Sequence, residues 1–170
     1  VLICFAGAVL APLGTTKLGG AGLFGGTPTV GTVASGQFAR SATKPRPFLG
    51  RPEAPCRVDI VSAYPGADGV AVDAFVEAGA RALVVEAMGA GNVGTPVIEA
   101  VRQACERGVT VAVTTRVPAG GATATYGPGH DLVAAGAVMV PHLRASQARV
   151  LVMAALSLGL PVAEVVAHWG

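Results

Sequence analysis

Asn92 closes a glycine-rich tetrad, Gly89-Ala90-Gly91-Asn92, that directly follows the short apolar run 82–88. A run of that length, rich in Val and Leu, reads as a strand buried on both faces of a parallel sheet, and the loop after such a strand is where open α/β sheets take ligands. The glycines let a ligand approach the backbone, and the free N–H groups of the following helix face it. Asn92 adds a polar amide at that place. The nicotinamide fingerprint is not met, because a third glycine is missing and the next strand ends on Thr114 rather than on an acidic residue. Taken alone, the tetrad has a turn or packing role as its alternative.

Three other groups of residues could carry chemistry. Thr114-Thr115-Arg116-Val117-Pro118-Ala119-Gly120 ends a buried strand with polar groups and one fixed cation. Arg116 can hold a carboxylate bidentately or tie down its loop, and tying a loop is the commoner role. Lys17 follows Thr15-Thr16 after two short apolar runs, and by itself reads as a solvated lysine. His130, His142 and His168 share no metal-ligand spacing and read as surface or loop residues, so no metal is expected.

Cys4, Cys56 and Cys105 are odd in number and contain no CxxC pair, which points away from a disulfide framework or a zinc site and toward a reducing compartment. Cys105 lies in a helix-patterned segment as a small buried apolar group. Met88 and Met153 read as core filler.

The elements that must position these residues alternate cleanly in the second part of the chain. Strands are expected at 57–63, 83–86, 109–114 and 137–140, and helices at 69–79, 96–107, near Leu132, 146–158 and 162–169. Asp68 is placed to cap the first helix, Pro96 to open the second and Gly108 to stop it. Strands alternating with helices of this length imply right-handed crossovers and a parallel sheet covered on both faces.

Earlier, residues 1–13 read as buried strand, in two runs separated by a turn at Ala6-Gly7, and the glycine-rich chain beyond Lys17 shows no period. Residues 39–55 carry Lys44-Pro45-Arg46-Pro47 and Arg51-Pro52-Glu53-Ala54-Pro55, a composition that favours an extended linker. No internal repeat is visible.

Hydrophobic residues make up 52% of the 170 and charged ones 13%, which excludes a disordered chain and leaves little solvated surface, as in a subunit buried against others. A net charge of +2, with Lys and Arg scattered, makes nucleic acid an unfavoured partner. Residues 150–162 are too short for a membrane span and are broken by Pro161, so no membrane partner is expected. The opening residues look like the middle of a strand and lack an initiating Met. The expectation is therefore the carboxyl-terminal part of a longer protein, cytoplasmic, or periplasmic or secreted if a signal preceded Val1.

The order of the pieces carries a resemblance. Val58-Asp59-Ile60-Val61-Ser62-Ala63-Tyr64-Pro65-Gly66-Ala67-Asp68, the Met88-Gly89-Ala90-Gly91-Asn92 loop, the Thr114 to Gly120 stretch, Tyr126-Gly127, and Ser146-Gln147-Ala148-Arg149-Val150-Leu151-Val152-Met153 together resemble the carboxyl-terminal domain of the bacterial-type L-asparaginase/glutaminase family. Val1-Leu2-Ile3-Cys4-Phe5-Ala6-Gly7 with Thr15-Thr16-Lys17 resembles the last part of that family's amino-terminal domain.

The resemblance implies an α/β fold: a parallel-sheet, Rossmann-like carboxyl-terminal domain at 56–170 with helices on both faces, preceded at 1–38 by the end of a larger catalytic α/β domain. It also implies hydrolysis of asparagine, or glutamine, to the acid and ammonia through a threonine nucleophile, without metal or organic cofactor. Lys17 matches the family's essential lysine, which takes or relays the proton of a threonine hydroxyl too weakly acidic to attack an amide unaided.

Asn92 matches an asparagine lent across a subunit interface to a neighbouring site, so a homo-oligomer, dimer or tetramer, is implied. An amide there can both donate to and accept from a zwitterionic amino-acid substrate. The two threonine motifs and the aspartate of the family lie upstream of the lysine, so this chain alone is expected to be inactive. Leu18-Gly19-Gly20 and Leu13 depart from the family's usual residues, through a rebuilt loop or a drifted copy. Residues 121–130 hold no carboxylate for a further substrate-binding role. The alternatives are an inactive binding or structural α/β module, and a nucleotide-binding domain.

Overall fold

A computed structural model describes residues 1–20, 23–25, 29–44 and 48–170. The chain forms two compact units, Val1–Phe48 and Leu49–Gly170.

In the first unit, β1 (Ile3–Phe5), β2 (Ala8–Leu10), β5 (Thr29–Ala34) and β6 (Gln37–Arg40) form an antiparallel sheet in the order β1-β2-β5-β6. The short β3 (Thr16–Lys17) and β4 (Phe24–Gly25) pair as a separate ribbon. Both hairpins of the larger sheet turn on two residues with positive φ, Ala6-Gly7 and Ser35-Gly36, as a tight turn matched to strand twist requires.

The expectation of buried strand over residues 1–13 needs correction. Val9 and Leu10 of β2 are buried, but Cys4 and Phe5 of β1 are exposed, because β1 is an edge strand with a neighbour on one side. The aperiodic chain beyond Lys17 also contains β4, β5 and β6. These strands escape a pattern search because β6 is exposed along its whole length and β5 shows no alternation. Residues 21–22 and 26–28 of that stretch lie outside the described residues.

The linker expected at 39–55 needs a later start, because Ala39 and Arg40 pair with β5 as the end of β6; the described residues of 41–55 hold neither helix nor strand, and the two units divide at Phe48/Leu49 within that stretch. Pro45-Arg46-Pro47 lies outside the described residues.

The second unit is a four-stranded parallel sheet, β7 (Val58–Ser62), β8 (Ala82–Ala87), β9 (Thr110–Thr115) and β10 (Val138–Met139), ordered β10-β9-β8-β7. The connecting helices are α1 (Val70–Glu77), α2 (Thr95–Glu106) and α3 (Gly127–Ala134). Each strand pairs with the one before it, so crossovers of one hand place all three helices on one face. There Val72, Val97, Val101 and Leu132 bury against Leu83, Val85, Val111 and Val113. On the other face α4 (Ala145–Ser157) and α5 (Val162–Trp169) cover Val58, Val84 and Ala112. The alternating burial of successive strand residues against opposite faces is the period-2 geometry of a strand, and each fully buried Val or Leu stabilises by about 1.5–3 kcal/mol.

Asp68 accepts the Val70 N–H at 3.1 Å, although Gly69 holds the N-cap of α1. Among the described residues no helix is long and apolar enough to cross a membrane.

Candidate functional site

The carboxyl ends of β8 and β9 carry the Asn92 loop and the Arg116 loop side by side. After β8 the backbone folds back at once: Met88 N–H donates to Asn92 O at 3.0 Å, and Asn92 N–H to Met88 O at 2.7 Å. Gly89 and Gly91 take φ of +50° and +119°, and a Cβ on Gly89 would stand 3.0 Å from Asn92 Nδ2. Glycine at 89 thus makes room for the Asn92 side-chain amide, which lies over the turn, half-buried.

The β9 loop holds this turn from the side. Thr115 Oγ1 donates to Gly89 O and accepts the Val117 N–H at 3.1 Å, while Arg116 N–H donates to Ala87 O at 3.0 Å and Thr123 N–H to Ala90 O at 2.9 Å.

Arg116 itself is exposed, and its side chain makes no hydrogen bond or ion pair among the described residues. The loop-tying role expected for it belongs to Arg144. That guanidinium donates from Nη1 to Thr115 O at 2.9 Å and to Val117 O, and from Nη2 to Gly120 O at 2.8 Å. Nothing in sequence spacing marks Arg144, which sits just ahead of α4 among mixed polar and apolar residues.

A polar row lies across the same end of the sheet on the α4 face. Ser62, Glu86 and Thr114 are register partners on β7, β8 and β9. Ser62 Oγ donates to Glu86 Oε2 at 2.8 Å, and Thr114 Oγ1 is fully buried with no hydrogen-bond partner among the described residues. Further along α4, Arg149 Nε donates to Val58 O at 2.6 Å, tying the helix to the edge strand.

Lys17 stands in the first unit, on β3, opposite Phe24 of β4. The ribbon is fastened by the Phe5 and Phe24 rings, whose centroids lie 5.5 Å apart edge to face. Just before it, buried Thr15 donates from Oγ1 to Ala11 O at 2.5 Å. The Lys17 side chain is exposed, not sunk among apolar groups. Lys17 and Asn92 therefore sit on different units of the chain.

His130, His142 and His168 are exposed, and His130 Nδ1 lies 3.6 Å from Asp131 Oδ1. Among the described residues no three His, Cys, Asp or Glu side chains gather as a metal would need. Cys105 is half-buried on α2, and burial pushes its thiol pKa up, with the Glu106 carboxylate adding to the rise and a backbone contact with Val111 opposing it. It sits against Gly136, where a Cβ would come within 3.3 Å of its sulfur.

A sequentially ordered parallel sheet, with a glycine turn presenting an amide beside a clamped second loop, defines an α/β domain whose polar groups converge at one end of the strands. Residues 57–168 match the Glutaminase/Asparaginase C-terminal domain, and the chain belongs to that family.

A subunit of the glutamyl-tRNA(Gln) amidotransferase of Aeropyrum pernix is 32% identical over 83 residues, 48% of this chain and 19% of that protein. The L-asparaginase of Bacillus licheniformis is 32% identical over 95 residues, 54% of this chain and 30% of that protein. The thermostable L-asparaginase from Thermococcus kodakarensis has the same fold, with a TM-score of 0.82 at 21% identity, covering 98% of this chain and 54% of that one. The chain thus spans less than a third of the curated relatives and about half of the solved structure.

Proposed function

We propose that the protein carrying this chain hydrolyses the side-chain amide of asparagine, with glutamine as a second substrate. The observation that carries this is the Asn92 amide, held over the Gly89–Gly91 turn within the 57–168 match to the Glutaminase/Asparaginase C-terminal domain.

In this proposal residues 1–40, which end with β6, are the tail of a catalytic domain, 41–55 a linker, and 56–170 a domain that lends Asn92 to the site of a neighbouring copy. A threonine outside these residues supplies the nucleophile. Lys17 relays its hydroxyl proton, the oxygen attacks the amide carbon, the C–N bond breaks, and ammonia leaves with a returned proton. Water then cleaves the acyl-threonine ester to the acid. Asn92, donor and acceptor at once, orients the zwitterionic end of the substrate. The exposed amine of Lys17 on its short ribbon is compatible with such a role.

The test is ammonia release by the full-length protein. Lys17→Ala is expected to lower kcat at least about a thousandfold with the fold intact, and Asn92→Ala to raise KM about tenfold with a smaller loss in kcat. Retained turnover in Lys17→Ala removes that residue from the proposal. Absence of ammonia from the unmodified full-length protein favours an inactive binding or structural module.

A second role is favoured by the glutamyl-tRNA(Gln) amidotransferase relatives, at 32% identity for Aeropyrum pernix and 36% for Methanosarcina mazei. In that case glutamine is the amide donor, and added glutamyl-tRNA(Gln) should accelerate its turnover.

A further inference from the structure

Arg144 occupies the N-cap of α4, with no side-chain cap hydrogen bond. Ser, Thr, Asp or Asn at such a position accepts an orphan N–H of the first turn, which an arginine side chain cannot do. A cation is also poorly placed there, because the helix dipole is positive at that end. Local helix physics thus gives arginine at 144 no advantage.

Its side chain turns away from the helix and donates to the carbonyls of Thr115, Val117 and Gly120. A planar guanidinium can span three such acceptors, whereas a lysine ammonium is a single point charge. Val117 and Gly120 close a tight turn through the Gly120 N–H to Val117 O bond at 3.1 Å, so the guanidinium fastens both ends of that turn and the end of β9 at once.

The clamp continues to the glycine loop. Thr115, whose carbonyl Arg144 holds, donates its hydroxyl to Gly89 O and receives the Val117 N–H, and Gly89 is the residue over which the Asn92 amide lies. We infer that Arg144 is a positioning residue that fixes Asn92 through Thr115 and Gly89, two loops away from its own helix. The inference extends the proposed amide hydrolysis: the relay follows from geometry, and its effect on turnover rests on that proposal.

Two measurements on the full-length protein separate the relay from the activity. The first is amide hydrogen exchange in Arg144→Ala, read at residues 116–120 and 89–92. Both segments should exchange about tenfold faster or more if the relay operates. Loosening confined to 116–120 overturns it. If Arg144→Ala does not fold, Thr115→Val breaks the same relay midway and should loosen 89–92, whereas Thr115→Ser, which keeps the hydroxyl, should not. Equal exchange in the two variants overturns the inference.

The second measurement is a double-mutant cycle on asparagine turnover. Arg144→Ala is expected to raise KM about fivefold with kcat within about twofold, Arg144→Lys should not rescue it, and the penalty should vanish in an Asn92→Ala background. An equal penalty in both backgrounds overturns the relay through Asn92. A silent Asn92→Ala, with both segments loosened in the exchange measurement, removes the asparagine-binding role and leaves the relay standing.

Discussion

Arg144 and Arg116 exchange the roles that local sequence suggests for them. Arg116 follows a strand in a loop rich in Pro and Gly, the usual setting for a tethering cation, yet it is exposed. Arg144 does the tethering from another element, and its contacts join positions 24 to 29 residues apart. Sequence spacing shows contacts along one helix or one strand and is blind to such a pair. Asn92 is legible because the strand, the glycines and the amide are contiguous. Thr115 is not, since a threonine at a strand end is ordinary until its hydroxyl is seen on Gly89 O.

At this scale Cys105 gives a separate test. Its raised pKa means that the fold favours the neutral thiol, so its contribution to stability is full below the unfolded thiol's pKa and declines as pH rises past it. In a variant keeping Cys105 as the one cysteine, alkylation at pH 8 should be slower in the folded protein than in urea, since the thiolate is the reacting form and burial disfavours it. Equal rates would show that the site does not suppress ionisation.

The elements divide by how much of their order is local. Strands β7 to β9 and helices α1 and α2 follow from apolar runs punctuated by Gly, Pro and Asp, and the observed spans differ from expectation by one or two residues. Such boundaries fray by that much in any case. Strands β5 and β6 were not legible, because their apolar residues fall without a period-2 alternation, β6 is exposed throughout, and the pairing itself supplies the order. One signal was there to be used: Ser35-Gly36 is a two-residue Xaa-Gly connection between two extended segments.

Gly36 has φ of +75° and nothing within 4 Å of where a Cβ would stand. Gly36→Ala should therefore cost about 1 kcal/mol from backbone conformation alone, without a clash. Urea unfolding of the full-length protein, monitored in the first unit, measures it. A loss well above that value would indicate a contact that the hairpin geometry does not supply.

For the whole molecule, the parallel sheet is laid down in chain order, and its two faces are covered at different times. The helices of one face alternate with the strands, whereas α4 and α5, which follow them, supply most of the cover over Val58, Val84 and Ala112. Ending the chain after Leu143 should thus leave one apolar face of the sheet bare. Such a product is expected to bind an apolar dye and to lose its cooperative urea transition, and a soluble, cooperatively unfolding product would show that the final helices are dispensable.

The same sequence of events has a bearing on synthesis. Of the parallel sheet a ribosome releases β7 before the other strands, and each later one emerges beside a neighbour already in place, so the sheet can grow by accretion with short loops to close. Its unroofed side stays sticky until some thirty further residues emerge, and that interval is when the nascent polypeptide most needs a chaperone.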